Sequence, residues 1–133
     1  MRRDKRIEIR WRDMDVYGHV NNAVYLTYLE EARDEWLGST LADPGDVWNW
    51  VLVRVEIDYR RELSLADDVV VASCELARIG GSSVWTQEAI RTLDGELSAE
   101  ARAVLVARDR ESGRSRPLSA EERAAFERTG SAR

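Results

Sequence analysis

The chain has 133 residues, 44% of them hydrophobic and 34% charged, with a net charge of −5, a size that fits one domain spanning residues 1–133 with a real core and is too short for two. An acidic balance argues against a broad nucleic-acid surface, and no apolar run approaches the roughly 20 residues that span a bilayer. One cysteine, Cys74, and one histidine, His19, exclude an internal disulfide and the usual thiolate and imidazole zinc sites, so no metal or other cofactor is expected.

The N-terminus, "MRRDKRIEIRWRD", continues in alternating charge instead of an apolar segment, so it is not a secretory signal and a cytoplasmic setting is expected. Residues 5–12 alternate Ile7, Ile9 and Trp11 against charged partners, the pattern of a half-buried strand. From Asn22 to Leu37, Tyr25, Leu29, Ala32 and Trp36 recur at spacings of four, three and four, which places them on one face of a helix that Gly38 is suited to end. Its first half is apolar nearly all round and should be deeply buried.

A turn at 42–46 leads into segments that read as strands at 48–59, 68–77, 83–92 and 98–109. Gly80-Gly81 and Asp94-Gly95 mark the turns between them. In the first of these segments Val51, Val53, Val55 and Ile57 alternate with Arg54, Glu56 and Asp58, giving one core face and one face for solvent or another subunit. Ser119 with Glu122 three residues on is a capping box, which starts a short terminal helix. One strand, a long helix and four more strands describe an α+β domain, an antiparallel sheet of about five strands wrapped around a long central helix.

The segment "DMDVYGHVNN", residues 13–22, gathers polar groups where that helix begins. The first N–H groups of a helix lack intrahelical partners and carry positive potential, so this end can stabilise an oxyanion. Asp15 lies on the connecting loop, and its carboxylate could attack a carbonyl held there or activate water for that attack. A loop cap is the plainer role for Asp15, and a hydrogen-bonding loop anchor the plainer role for His19.

Residues 10–33, "RWRDMDVYGHVNNAVYLTYLEEAR", resemble the opening of the hotdog-fold acyl-CoA thioesterases of the 4-hydroxybenzoyl-CoA thioesterase family, above all the long-chain acyl-CoA branch with its Asp, His-Val-Asn-Asn, Tyr and Glu-x-Ala-Arg pattern. Element order and the segments "RIGGSSV" and "DRESGRSRPLSAEER" extend the likeness along most of the chain. The resemblance implies hydrolysis of an acyl-CoA, with the acid matching Asp15 as nucleophile or general base. It implies that the backbone amide near Asn22 polarises the thioester carbonyl and that CoA lies between subunits. The Asp-x-Asp form, with Asp13, is a departure from the long-chain branch.

His19 is expected to orient water or substrate. Tyr25 is a candidate substrate contact that helical spacing also assigns to the core. Arg60, Arg61 and Arg78 at strand ends are candidates for the CoA phosphates, and Gly81, Ser82 and Ser83 could admit the pantetheine arm. Glu30 and Arg33 are expected to form an ion pair within the helix or between subunits. Trp36, Trp48, Trp50 and Trp85 could furnish an acyl pocket, or simply core and interface. The amount of apolar surface implies a homodimer or homotetramer. Two other functions fit such a chain: a hydratase or dehydratase using His19, and a protein that holds acyl-CoA without turning it over.

Overall fold

In the computed structural model, residues 1–131 are described. Five strands form one antiparallel sheet: β1 (Arg3–Glu8), β2 (Trp50–Tyr59), β3 (Val69–Ile79), β4 (Ser83–Thr92) and β5 (Leu97–Ala107), in the order β1-β3-β4-β5-β2. Helix α1 (Asn22–Thr40) packs on one face of this sheet, and α2 (Ala120–Ser131) follows the last strand. This is the α+β architecture expected, with all five strands.

Several boundaries differ from those read in the sequence. The first strand ends at Glu8 because the chain turns at once: the Asp13 side chain accepts the Arg10 N–H at 2.9 Å, closing a 3-10 turn over Trp11–Asp13. Trp11 is turned outward by it and is 80% exposed. Helix α1 runs through Gly38 to Thr40, where the Leu41 N–H bonds the Leu37 carbonyl and the Ser39 and Thr40 hydroxyls both bond the Trp36 carbonyl. Buried Leu37 and Leu41 hold this last turn against the core, which outweighs the roughly 1 kcal/mol that glycine costs inside a helix. Trp48 lies in a 3-10 segment, Pro44–Asn49, ahead of β2. Within β2 the register shifts between Leu52 and Arg54. The extra residue, Val53, leaves the alternation and faces solvent, whereas Val55 and Ile57 pack against the core.

Helix α1 is not central. Tyr25, Tyr28, Leu29, Ala32, Arg33, Trp36 and Leu37 are buried on one face, while Thr27, Glu30 and Asp34 are exposed. It packs on β1, β3 and β4, and a furrow of about 150 Å³ between Leu26, Thr27 and Glu30 of the helix and Leu52 and Val55 of β2 stays open. Below α1 the core continues to Phe126 of α2, stacked near Trp36 at 5.7 Å and Trp50 at 5.4 Å. The capping box of α2 is formed, with the Glu122 N–H on Ser119 Oγ at 3.1 Å and the Ser119 N–H on Glu122 Oε1 at 2.8 Å.

Arg33 does not pair with Glu30. Its Nε and Nη2 each donate to Glu88 of β4 at 2.8 Å, with both side chains buried. Thr86 donates to the same carboxylate at 2.6 Å and the Cys74 thiol approaches it at 3.8 Å. Burial works against the guanidinium charge, but the hydrogen bonds and charge of Glu88 outweigh it and raise the Arg33 pKa. Burial, aided by the neighbouring Glu88 charge, pushes the Cys74 thiol well above its ordinary value.

The antiparallel registers define two ends of the sheet. At one end lie Glu8, Val69, Thr92, Leu97 and Tyr59, together with the start of α1, whose Asn22 carbonyl accepts the Tyr59 hydroxyl at 2.9 Å. At the other end lie the β3–β4 turn, the start of β2 and α2.

Candidate active site

The loop from Arg10 to Asn21 carries the sequence cluster, and Asp13 is its foundation. Its carboxylate is 1% exposed and receives Tyr28 Oη at 2.7 Å, the Arg10 N–H at 2.9 Å, and Arg10 Nε and Nη2 at 3.2 and 3.0 Å. Burial alone would raise the pKa of this carboxyl, but the bonds from Tyr28 and Arg10 outweigh it and hold it below the ordinary value. Burial, together with the bond to Asp13, raises the Tyr28 hydroxyl far above its usual range. The Asp13 carbonyl also accepts the Asn21 N–H at 2.9 Å, tying the base of the loop to the residue before α1.

Above this anchor the chain makes a small hairpin. Met14 and Val20 form an antiparallel bridge, the Asp15 N–H bonds the His19 carbonyl at 2.9 Å, and the Gly18 N–H bonds the Asp15 carbonyl at 3.1 Å. Gly18 has φ +83°, a conformation costly for other residues. Asp15 is thus held at the hairpin base. Its Oδ1 accepts the Tyr17 N–H at 2.9 Å, and among the described residues Oδ2 has no protein partner. One oxygen fixes the carboxylate; the other is available to a substrate or a water.

At the helix start the cap is Asn21, whose Oδ1 accepts the Ala23 N–H at 2.8 Å. Asn22 is the first helical residue, and its N–H meets no protein acceptor among the described residues, so it can donate to an oxyanion. His19 Nε2 lies 3.1 Å from Glu62 Oε2, an exposed pair that, with the Val20 N–H on the Leu63 carbonyl at 2.8 Å, holds the hairpin to the segment after β2. Tyr25 is 2% exposed; its hydroxyl donates to the Arg61 carbonyl at 3.3 Å and accepts the Leu63 N–H at 3.1 Å. Both of these bonds go to backbone and hold the 61–63 segment in place, while the ring meets Tyr59 edge to face at 5.0 Å.

Arg60 and Arg61 lie at the same end but face carboxylates: Arg60 meets Glu100 at 2.6 Å, and Arg61 meets Glu96 at 2.6 Å and Asp67 at 3.2 Å. Arg78 lies over the Trp85 ring at 4.5 Å. It stands at the other end of the sheet with Gly81, Ser82 and Ser83, whose carbonyls accept N–H groups of Leu118, Ala107 and Gly80 at 3.0, 2.9 and 2.7 Å. Within one chain these four residues do not meet Asp15. Trp36 and Trp50 lie in the core around Phe126, Trp48 is exposed beyond the far end, and Trp85 lies under Arg78.

The sequence reading did not single out Arg12 or Leu65. Both line an open groove of about 780 Å³ that also includes Trp11, Met14, Asp15 and Val16. Arg12 forms no ion pair among the described residues. Its signal was its place beside the Asp-x-Asp pair; Leu65 carries none, because its 3-10 turn meets the loop only through the fold. No three His, Cys, Asp or Glu side chains among the described residues are grouped to hold a metal ion, and no helix among them is long and apolar enough to cross a membrane.

Comparisons with known proteins identify the family and the fold. The chain is 35% identical over 112 residues to the long-chain acyl-CoA thioesterase FadM of Escherichia coli strain K12, covering 77% of this chain and 80% of that protein. A thioesterase from Thermus thermophilus, solved in complex with coenzyme A and Zn, superposes with a TM-score of 0.84 at 33% identity, over 93% of this chain and 96% of the other. A 1,4-dihydroxy-2-naphthoyl-CoA thioesterase from Synechocystis, at 19% identity, shares the fold with a TM-score of 0.79 over 95% and 96% of the two chains. The family model for the thioesterase-like superfamily matches residues 9–126, and the chain belongs to that superfamily.

Proposed function

We propose that the protein is a cytoplasmic acyl-CoA thioesterase: water and acyl-CoA give the free acid and CoA. The observation that carries this reading is the Asp15 carboxylate, held by one oxygen at the rim of an open groove, in the loop that delivers the chain to the unpaired Asn22 N–H. In the first step Asp15 either attacks the thioester carbon directly, forming an acyl anhydride that water then opens, or takes a proton from a water that attacks. In both routes the carbonyl oxygen gains charge, the Asn22 N–H receives it, and the C–S bond breaks to release the CoA thiolate, which takes up a proton. His19, held by Glu62, steadies the hairpin or a water.

The working unit is a homodimer or a tetramer of dimers. Support comes from edge strand β2, where Leu52 is 41% and Val53 57% exposed, beside the open furrow against α1. A second copy pairing antiparallel along this edge would carry its own far end, with Arg78, Gly81, Ser82 and Ser83, toward the first copy's Asp15 end. Those residues, with Arg60 and Arg61 on the segment that buried Tyr25 holds in place, then complete a CoA channel between subunits. Light scattering should give a mass of two or four chains in active solution; an active monomer of 15.2 kDa would contradict a shared site.

The deciding experiment is turnover on a panel from acetyl to long-chain and aromatic acyl-CoA, with free thiol detection. Hydrolysis releases CoA. An enzyme that hydrates or dehydrates the acyl group consumes enoyl- or hydroxyacyl-CoA without releasing thiol, and a binding protein does neither. Carrier-protein thioesters belong on the same panel.

A further inference from the structure

Beside Asp15 the surface is apolar where an exposed loop would ordinarily be polar. Val16 is 94%, Trp11 80% and Leu65 40% exposed, and with Met14 and Ala66 they form the wall of the same groove that Asp15 lines. Exposed aliphatic and aromatic side chains converging on a reactive carboxylate mark a binding surface more readily than a solvated loop. Three separate segments supply them: the 3-10 turn after β1, the hairpin that Gly18 closes, and the 3-10 turn Leu65–Asp67.

We infer that this groove is the seat of the acyl chain, and that Trp11, Val16 and Leu65 set the chain length the enzyme favours. The inference rests on the thioesterase reading above. A thioester whose carbonyl lies at Asp15 has two continuations from that carbon, the acyl chain and the sulfur-linked pantetheine. The pantetheine arm carries amides and ends in phosphates, and it needs hydrogen-bond partners when desolvated. The groove wall offers mainly carbon; apart from Asp15 its polar side chains are Arg12 and Ser64. An aliphatic chain loses nothing against such a wall and gains by leaving water. The occupant is therefore an alkyl chain of several carbons, with the pantetheine leaving on the other side.

The test compares kcat/KM for butanoyl- and dodecanoyl-CoA in the wild type and in Val16→Gln, Leu65→Gln and Trp48→Ala. The first two replace exposed wall residues, so the fold has little to lose, and melting temperatures check this. Trp48 is 72% exposed at the far end and stands for a rival aromatic seat. In the wild type, kcat/KM should rise with chain length by between about twofold and fourfold per methylene that enters the groove, the upper value being the transfer free energy of a fully buried methylene. The dodecanoyl-to-butanoyl ratio should fall at least tenfold in Val16→Gln or Leu65→Gln and stay put in Trp48→Ala. A ratio kept within twofold in both wall variants, a collapse in Trp48→Ala alone, or a wild type that favours butanoyl-CoA would each overturn the inference while leaving the hydrolase intact. If no acyl-CoA is hydrolysed, the functional reading fails separately. Calorimetry with a non-hydrolysable dodecyl thioether of CoA then decides the groove: tenfold weaker binding in the wall variants supports it, and unchanged or undetectable binding overturns it.

Discussion

Asp13 and Asp15 belong to one loop, yet four donor groups of Arg10 and Tyr28 are aimed at the Asp13 carboxylate, whereas Asp15 has one, the Tyr17 N–H. The same contrast recurs across the molecule. Under α1, Glu88 is shared by Arg33, Thr86 and Cys74 in a buried cluster; on the rim, Asp15 Oδ2 and the Asn22 N–H have no protein partner among the described residues. A buried charge survives only when its hydrogen-bonding capacity is met, because an unmet one costs several kcal/mol. A carboxylate that must react needs the reverse, so this fold separates the two demands by two residues of chain.

The largest effect on the fold is expected at the buried cluster. Arg33→Ala leaves the Glu88 charge uncompensated and should lower unfolding free energy by about 3–5 kcal/mol, whereas the double change Arg33→Met with Glu88→Leu should recover most of that loss. Denaturant titrations of the wild type and both variants check it. A cost below about 1 kcal/mol for Arg33→Ala would mean the pair is wet.

Next comes the anchor. Asp13→Asn keeps the side-chain shape and a Tyr28 partner but loses the charge facing Arg10, and should cost about 1–3 kcal/mol at neutral pH. The sign with pH follows from the lowered pKa of Asp13. A carboxyl with a folded value below its unfolded one, which lies near 3.9, contributes its full stability above that unfolded value. The contribution fades as pH falls through the folded value. The gap between wild type and Asp13→Asn should therefore be full at pH 7 and close in acid. A constant gap down to pH 2 would show that the charge is not what Asp13 supplies.

The smallest effect on the fold belongs to His19. Its pairing with Glu62 is exposed, so His19→Gln should change stability by no more than about 0.5 kcal/mol. Turnover should fall by less than about 100-fold, the lower bound for a side chain that transfers a proton in the rate-limiting step. A larger loss than at Asp15 would move the chemistry to the histidine and favour the hydratase reading.

Much of this was legible in the sequence because local patterns carried it. The Tyr25, Leu29, Ala32 and Trp36 spacing found the buried helix face, Asp94-Gly95 found a hairpin, and Ser119 with Glu122 found the cap of α2. What was hidden depended on contacts far apart in sequence. Arg33 looked toward Glu30, three residues away, but its partner is 55 residues on. Val53 fitted the alternation until a bulge removed it, and Trp11 fitted a strand until Asp13 turned the chain. The loop chemistry was visible as a cluster of residue types. The division of labour between Asp13 and Asp15 was not, since it follows from Tyr28 and Arg10 reaching one acid and not the other. Leu65 entered the groove only through the closure of the sheet.

The most direct measurement is CoA release by Asp15→Asn on the best acyl-CoA substrate, with a melting curve on the same sample. The amide keeps the size of the side chain and can still accept the Tyr17 N–H, but it is a poor nucleophile and base. The account predicts a fall in kcat of about 10³-fold or more with an unchanged melting temperature. Near-normal turnover in a fully folded Asp15→Asn would contradict it and leave Asp15 as a loop cap.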